Sequence, residues 1–456
     1  MSVNSISVHK FGGTSVGSLG NIRNIQSIIL EEKKNNKQVL IVVSAIGLVT
    51  DYLQDIWDFC LENDWASAEK QWEKLEMESW NLANQVLHED KKKLEKLSGF
   101  WKNHSFSFQK LKELNSFTNK IYSLFLSQGE YFSSLLLSIK LEAEFFDATN
   151  VIRTDSNYLK ANPITKEIKK LALKVLKPLL EVHPIIITQG FIGEDEIGHR
   201  TLLGRGGSDT SAALFAQALE CSHVYIWTDV DGVYTADPRL VKNARPIPTL
   251  TYEQAAELAQ YGGKVIAPGA LIPISQNNII MYVRSTQNPL SLGTTIKNED
   301  ENYQIQEMRK VCAIVTKEDQ LLVSVKKIKM PNSYGHLFQI FKILADFNIS
   351  IEMITTSQQS TSFTLEYPQL WNDQVKQRIE NECMLEVLVE KNLGMISFIG
   401  GSLAPWKNGP FDFLHPAQVK GVFLGPLKQN LSILLDSSTK VTELLQVFHQ
   451  KYIEEL

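Results

Sequence analysis

Cysteine is scarce: Cys60, Cys221, Cys312 and Cys383 are the only four, scattered across 456 residues. That spacing builds neither a disulfide framework nor a zinc site. Reduced thiols in a cytoplasm are the expectation. Long apolar runs are also missing, and none approaches the roughly 18 residues of a membrane span. The opening MSVNSISVHKFGG has no charged stretch followed by an apolar one, so no signal peptide is expected. Basic excess is absent as well. Lys and Arg number 46 against 51 Asp and Glu, for a formal net charge of −5. With no long basic run, a nucleic-acid partner is disfavoured.

What remains is an ordinary globular chain, 43% hydrophobic and 21% charged, long enough for roughly two to four compact domains. Ile6 to Phe11 reads as a strand broken by Gly12 and Gly13. Asn21 to Glu32 has helical spacing, with Ile22, Ile25, Ile28 and Ile29 on one face. Val39 to Ser44 is a continuous apolar run of the kind buried on both faces of a sheet. Residues 51 to about 146 read as helix, and the spacing of Trp57, Trp65, Trp72 and Trp80 predicts one packed helical face. Strands at Pro184–Phe191, Val224–Trp227 and Ile279–Arg284 then alternate with helices at Thr210–Leu219 and Glu253–Gln260. This rhythm predicts an α/β fold.

Beyond a polar stretch at Lys297–Gln306 the order changes. Strand, helix, strand, strand, helix, strand between Leu321 and Val389 is the ferredoxin-like βαββαβ order. A second, atypical copy comes after it, with strands at Gly394–Ile399, Val419–Leu424 and Leu431–Leu435 and a helix at Lys440–Glu454.

Five segments carry chemistry. KFGGTSV (10–16) lies between a strand and a helix. Gly12 and Gly13 allow close backbone approach, the helix start favours an anion, and Lys10 offers a point charge to phosphate. It is not a Walker A loop, since no Gly-Lys-Ser/Thr comes at the required spacing. LGRGGSDTSAA (203–213) opens another helix, with Ser208 or Asp209 near the N-cap. Its Arg205, wedged between glycines, suits a carboxylate or a phosphate. WTDVDGVYTADPR (227–239) offers Thr228, Asp229 and the ring of Tyr234, either as a nucleotide pocket or as a turn-rich acidic loop. In SQGEYFSS (127–134), Glu130 sits inside an apolar helical run, where burial without a partner is costly. It faces either a ligand ammonium or a surface partner. YGGKVIAPGA (261–270) places Lys264 after two glycines.

Together, and in this order, these segments and TQGFIG (188–193) resemble the aspartate kinases of the amino-acid kinase family, closest to the lysine-sensitive, single-function type through FNISIEMITTS (347–357). The resemblance implies an amino-acid-kinase-type α/β/α sandwich over residues 1–300. Two ACT-type units come next, at 311–390 and 391–456, the second inserted into or interleaved with the first. It implies phosphoryl transfer from ATP to the side-chain carboxylate of L-aspartate, the first step of the aspartate-family amino-acid pathway. The acceptor is already ionised, so positioning and charge neutralisation replace a general base. By match to the motifs, Lys10 neutralises the transferring phosphate and Asp209 organises the centre. Gly12, Gly13, Thr14 and Ser15 cradle phosphates. Thr50, Glu130, Arg205 and Ser208 hold aspartate, with Arg205 on its α-carboxylate and Glu130 on its ammonium. Thr228, Asp229, Tyr234, Asp237 and Lys264 line the ATP site. Magnesium travels on the nucleotide with few direct protein ligands.

The same resemblance implies a homodimer built by the ACT-like units and an amino-acid effector, lysine, at Met330, Ser333, Ile351, Glu352, Thr356 and Ser357. Three departures stand out. Leu48 replaces the usual glycine two residues before Thr50. Ala267-Pro268 stands where the family has His-Pro. Pro405, Pro410 and Pro416 fall in the expected first helix of the second ACT-like copy, and proline costs about 3 kcal/mol inside a helix. Weak or no inhibition by lysine is the corresponding expectation. The rivals are a kinase for glutamate or carbamate, and a non-catalytic amino-acid-binding regulatory subunit of the same fold.

Overall fold

The computed structural model describes residues 6–35, 38–88, 90–103, 108–263, 265–298, 311–327, 335–365, 368–400, 410–425 and 430–455. They form two compact units. The first comprises the described residues of Met1–Val233, Pro246–Ala259 and Lys264–Glu299. The second comprises those of Tyr234–Arg245, Gln260–Gly263 and Asp300–Leu456.

The first unit is an α/β sandwich on an eight-stranded sheet. Its strands are β1 (Ile6–Phe11), β2 (Gln38–Val43), β3 (Glu144–Phe146), β4 (Ile185–Gln189), β7 (His223–Thr228), β8 (Thr249–Thr251), β9 (Ile280–Ser285) and β10 (Thr294–Lys297). A separate hairpin joins β5 (Ile192–Glu194) to β6 (Arg200–Leu202). The sheet order is β3-β4-β2-β1-β7-β9-β10-β8. The first six of these run parallel, while β10 pairs antiparallel with β9. All six residues of β2 are buried, as its unbroken apolar run requires of a strand covered on both faces. The helix Leu19–Lys34 starts at Ser18, whose hydroxyl accepts the Asn21 N–H, and it buries the four predicted isoleucines. Strand order turns outward in both directions from the β1–β7 pair. In such sheets the crevice beyond the carboxyl ends of those two strands is where ligands bind.

The tryptophan pattern resolves differently from the predicted single face. Helix Val49–Leu61 ends before Asn63, which takes a left-handed backbone (φ 60°), and Asp64 caps a new helix, Trp65–Leu87. Trp57 therefore packs from one helix onto Phe117, Tyr122 and Phe125. Trp72 packs from the next onto Trp101, Phe108 and the same Phe125, and Trp80 is left 41% exposed. A capping turn reset the helical phase that the heptad-like spacing had assumed.

In the second unit, β11 (Val311–Lys327), β12 (Ile351–Thr356), β13 (Ser360–Leu365), β14 (Leu385–Gly400), β15 (Val419–Leu424) and β16 (Asn430–Leu435) form one antiparallel sheet in the order β12-β13-β11-β14-β16-β15. Two strands are much longer than expected, because β11 and β14 pair along almost their whole lengths. Their register slips between Lys317 and Leu322, where Asp319 and, on β14, Asn392 take left-handed backbone. That bulge separates two apolar cores. One is built on Val323, Ile340, Ile343, Phe363, Ile379 and Val387. The other is built on Ile314, Ile396, Phe398, Ile433, Leu445 and Phe448. Of the proline-rich stretch Ser402–Pro416, residues 402–409 lie outside the described residues. From Pro410 onward the chain forms two short 3-10 turns, Pro410–Phe413 and Pro416–Gln418.

Candidate active site

A cavity of about 450 Å3 in the first unit is lined by Lys10, Ser44, Thr50, Tyr122, Glu130, Phe191, Arg205, Ser208 and Asp209, among others. Lys10, Thr50, Glu130, Arg205, Ser208 and Asp209 are thus gathered from four separate stretches of chain.

Local geometry explains how each arrives. Lys10 is the penultimate residue of β1, at the carboxyl edge of the sheet. Gly12 N–H donates to the carbonyl of Trp227 on β7 (3.3 Å), which ties the glycine turn to the neighbouring strand. Gly13 has no room for a side chain, since a Cβ there would lie 2.6 Å from the Ala45 carbonyl oxygen. Gly204 and Gly206 take φ of +75° and +71°, a region other residues enter at a cost. Between them Arg205 is carried outward and is exposed at the cavity. Directly after them begins the helix Gly207–Ala218, whose first turn holds Ser208 and Asp209.

Apart from the exposed Arg205, the charges are arranged as one pair and one lone group. Lys10 Nζ lies 2.6 Å from Asp209 Oδ1, with both side chains mostly shielded from solvent. Glu130, in the first turn of the helix Gln128–Leu141, is almost fully buried at 3% exposure. Its Oε1 accepts the Ala45 N–H (3.2 Å), whereas its Oε2 has no hydrogen-bond partner among the described residues. Burial pushes its carboxyl up to about 8, against the pull of the Ala45 N–H. An ammonium placed at Oε2 would supply both the missing hydrogen bond and the missing counter-charge.

The nucleotide-side residues are placed less uniformly. Gly12, Gly13 and Thr14 form the turn after β1, and Thr14 is exposed. Ser15 turns inward instead. It is 1% exposed, and its hydroxyl shares a 2.7 Å hydrogen bond with Thr286 Oγ1. Its side chain braces the turn from below, so only its backbone is left to face a phosphate. Thr228 and Asp229 stand at and just beyond the end of β7, with the Thr228 hydroxyl donating to the Asp229 carboxylate. Tyr234 and Asp237 belong to the second unit. There Asp237 accepts both Nε (3.0 Å) and Nη2 (2.6 Å) of Arg239. Lys264, Met330 and Ser333 lie outside the described residues.

The remaining effector positions sit on and after β12. Ile351 and Glu352 lie near its start, Thr356 ends it, and Ser357 Oγ accepts N–H groups in the turn after it. Glu352 is paired with Lys317 of β11.

Sequence reasoning missed several wall residues, among them Ser44, Phe191 and Tyr122. Ser44 ends the apolar run of β2, and its carbonyl accepts the Ser133 hydroxyl (2.7 Å). Phe191 has left-handed backbone (φ 67°) and packs close enough to Gly207 that a Cβ there would lie 2.7 Å from its ring. Strain of that kind in a bulky residue is itself a site signal. Tyr122, whose phenol burial raises to about 12, keeps its proton and can donate. Among the described residues no group of three or more His, Cys, Asp or Glu could hold a metal ion.

Comparison with known proteins points the same way. The amino acid kinase family matches residues 5–285. The chain is 30% identical, over an alignment of 476 positions, to the lysine-sensitive aspartokinase 3 of Escherichia coli K12, covering 99% of this chain and all of that one. It is 31% identical to an aspartokinase of Bacillus sp. MGA3, over 78% of this chain and 73% of that one. Among solved structures, E. coli aspartokinase III in complex with aspartate and ADP (R-state) superposes with a TM-score of 0.81 at 29% identity, covering 98% of this chain and 99% of that one. The same enzyme in complex with lysine and aspartate (T-state) gives 0.72 at 30% identity, with the same coverage.

Proposed function

The chain belongs to the amino acid kinase family and, within it, to the aspartokinases, and on that premise we propose that it transfers the γ-phosphoryl group of ATP to the β-carboxylate of L-aspartate. The observation that carries this reading is the cavity on which Lys10, Thr50, Glu130, Arg205, Ser208 and Asp209 converge. An α-amino acid brings one ammonium and one α-carboxylate. Glu130 offers the first an unpaired oxygen, and Arg205 offers the second a planar fork. The side-chain carboxylate is then left to point toward Lys10.

That carboxylate is ionised at neutral pH and needs no base. The chain's contribution is orientation together with charge neutralisation by Lys10, whose own position Asp209 fixes. The turn at Gly12, Gly13 and Thr14, with Thr228 and Asp229 beside it, would receive the nucleotide; Tyr234, Asp237 and Lys264 are proposed as nucleotide contacts on the motif match alone. Magnesium would enter on the nucleotide's phosphates and offset their charge. An ion held largely by phosphates and water needs no protein cage, which fits a site where the Asp209 carboxylate is already engaged by Lys10.

We assign the kinase to residues 1–300 and the ACT-like copies to 311–390 and 391–456, working in the cytoplasm as a homodimer through those copies. The four free cysteines accord with a reducing compartment. Among the described residues no helix is long and apolar enough to cross a membrane. The helix His336–Asp346 of the second unit leaves Phe338 71% exposed, an apolar surface that a second copy could cover.

The deciding experiment is an ATP-dependent hydroxamate assay with aspartate, glutamate and carbamate as separate acceptors. Turnover with aspartate alone is expected. Turnover with glutamate and not aspartate, or with neither, would sink the reading, the latter in favour of a regulatory subunit. Lysine, added to the same assay, is expected to inhibit weakly or not at all. Lys317 already pairs with the buried Glu352 carboxylate through Oε1, so an ammonium at this carboxylate gains less charge neutralisation. Strong inhibition at sub-millimolar lysine would contradict this.

A further inference from the structure

Thr286 belongs to none of the motifs and is not among the residues lining the cavity, yet it is 1% exposed and bonded on every polar group. It comes directly after β9, where the parallel strands β1, β7 and β9 end side by side. Each of its bonds reaches a different segment of the first unit. Its N–H donates to the Thr228 carbonyl at the end of β7 (2.8 Å). Its carbonyl accepts Nδ2 of Asn24 (3.0 Å), in the helix Leu19–Lys34. Its hydroxyl lies 2.7 Å from that of Ser15, in the turn after β1.

Ser15 carries the tie onward. Its hydroxyl also reaches the Trp227 carbonyl, a longer contact of 3.5 Å, and the same carbonyl accepts the Gly12 N–H. One ordering uses every proton: Thr286 donates to Ser15, and Ser15 donates to Trp227. The turn held in this way adjoins the cavity. A Cβ at Gly12 would lie 3.6 Å from Lys10 Nζ, and Lys10 is a cavity wall. From the outer side, Asn21 Nδ2 donates to the Thr14 carbonyl (2.8 Å).

We propose that Thr286 is a positioning residue for the nucleotide, which holds the Gly12–Ser15 turn in register with the end of β7. This rests on the kinase reading, specifically on that turn and Thr228 receiving ATP. The two segments leave neighbouring strands at the point where the sheet's own hydrogen bonds stop. Thr286 continues the tie past that point, through Ser15 to one segment and through Thr228 to the other. A hydroxyl pair in a dry site fixes position more narrowly than apolar contact, because moving either oxygen strands a buried polar group. Aspartate, held by Glu130 and Arg205 from other segments, does not depend on this tie.

The test compares Thr286→Val, which keeps the shape and removes the hydroxyl, with Thr286→Ser, which keeps the hydroxyl. Ser15→Ala and the Ser15→Ala/Thr286→Val double variant complete the set. Steady-state kinetics are run against each substrate, with ADP affinity measured by calorimetry. Thr286→Val is expected to raise KM for ATP and Kd for ADP by about tenfold, with KM for aspartate within about twofold of wild type. Thr286→Ser should restore the wild-type values. The double variant should be no worse than Thr286→Val, because both changes remove the same bond. Unchanged ADP affinity in a folded Thr286→Val would overturn the inference. So would KM values that rise together for both substrates, a Thr286→Ser as impaired as Thr286→Val, or losses that add fully in the double variant. Should the buried variants not fold, Asn24→Ala at the half-buried edge of the network decides. It strands the Thr286 carbonyl and is expected to weaken ADP binding about threefold, and no shift would refute the proposal. A wild-type chain that binds ADP without turning over aspartate would sink the kinase reading alone, and the ADP comparison would still decide the role of Thr286. A wild-type chain that binds no ADP would overturn both.

Discussion

Lys10→Ala is expected to lower kcat by about two to three orders of magnitude, the scale of removing one preorganised charge donor from a transition state. KM for ATP should move much less. In phosphoryl transfer the charge spreads over the equatorial oxygens of the migrating group, and catalysis is mostly positioning and neutralisation. Lys10 sits at the carboxyl edge of β1 beside the glycine turn, and its ammonium is held 2.6 Å from Asp209. Truncation therefore does two things. It removes a cation from the reacting oxygens, and it leaves the Asp209 carboxylate uncompensated beside them. The second effect makes a further prediction. Adding Asp209→Ala to Lys10→Ala should recover part of the lost rate, because residues in direct contact are coupled rather than additive. A Lys10→Ala defect confined to KM would contradict a transition-state role.

Glu130→Gln has the other large effect, and it divides function from stability. Losing a charge-assisted hydrogen bond to the substrate ammonium costs about 1.5–3 kcal/mol, or about a 10- to 150-fold rise in KM for aspartate. The pH dependence supplies the check. Burial pushes the wild-type carboxyl up to about 8, so in the ligand-free protein it is mostly neutral at pH 6. Aspartate binding needs it ionised, so KM for aspartate should fall as pH rises toward about 8 in wild type and stay flat in Glu130→Gln.

Stability runs the opposite way. An unfolded glutamate ionises near 4.5, while the folded Glu130 keeps its proton to about 8. Between those values the folded state binds more protons, so this group's contribution declines as pH rises from about 4.5 and levels off beyond about 8. The glutamine carries no such loss. Glu130→Gln is therefore expected to melt higher than wild type at pH 8 and nearly level with it at pH 4. Thermal melts at the two pH values check this, and a variant less stable at pH 8 would refute the desolvation argument. A strained, poorly satisfied carboxyl kept for binding is a familiar cost of function.

Much of the catalytic unit was legible in the sequence because its key conformations are local. Glycines at 13, 204 and 206 mark positions that a side chain would crowd or strain, and Lys10, Arg205 and Asp209 lie on or next to those turns. The fully apolar run of β2 and the isoleucine stripe of Leu19–Lys34 obeyed the same logic, since a period of 2 or 3.6 is written in neighbouring residues. The tryptophan spacing misled because a single left-handed residue, Asn63, resets helical phase without disturbing composition. In the second unit, the continuity of β11 and β14 across two cores could not be read either. Strand pairing joins Val311 to Gly400, and no local pattern specifies so distant a partner.

The sequence by itself determined the chemistry at hand: which cations and carboxylates stand on or beside glycine turns, and in what order. Tertiary structure alone decided what those groups experience. It closed the cavity with Ser44, Tyr122 and Phe191 from remote segments, turned the Ser15 hydroxyl inward, and raised the Glu130 carboxyl by burial. It also matched Ser15 to Thr286 across more than two hundred residues. Turn conformation depends on the residues in the turn. Desolvation and long-range hydrogen bonding depend on which distant surfaces the folded chain brings together.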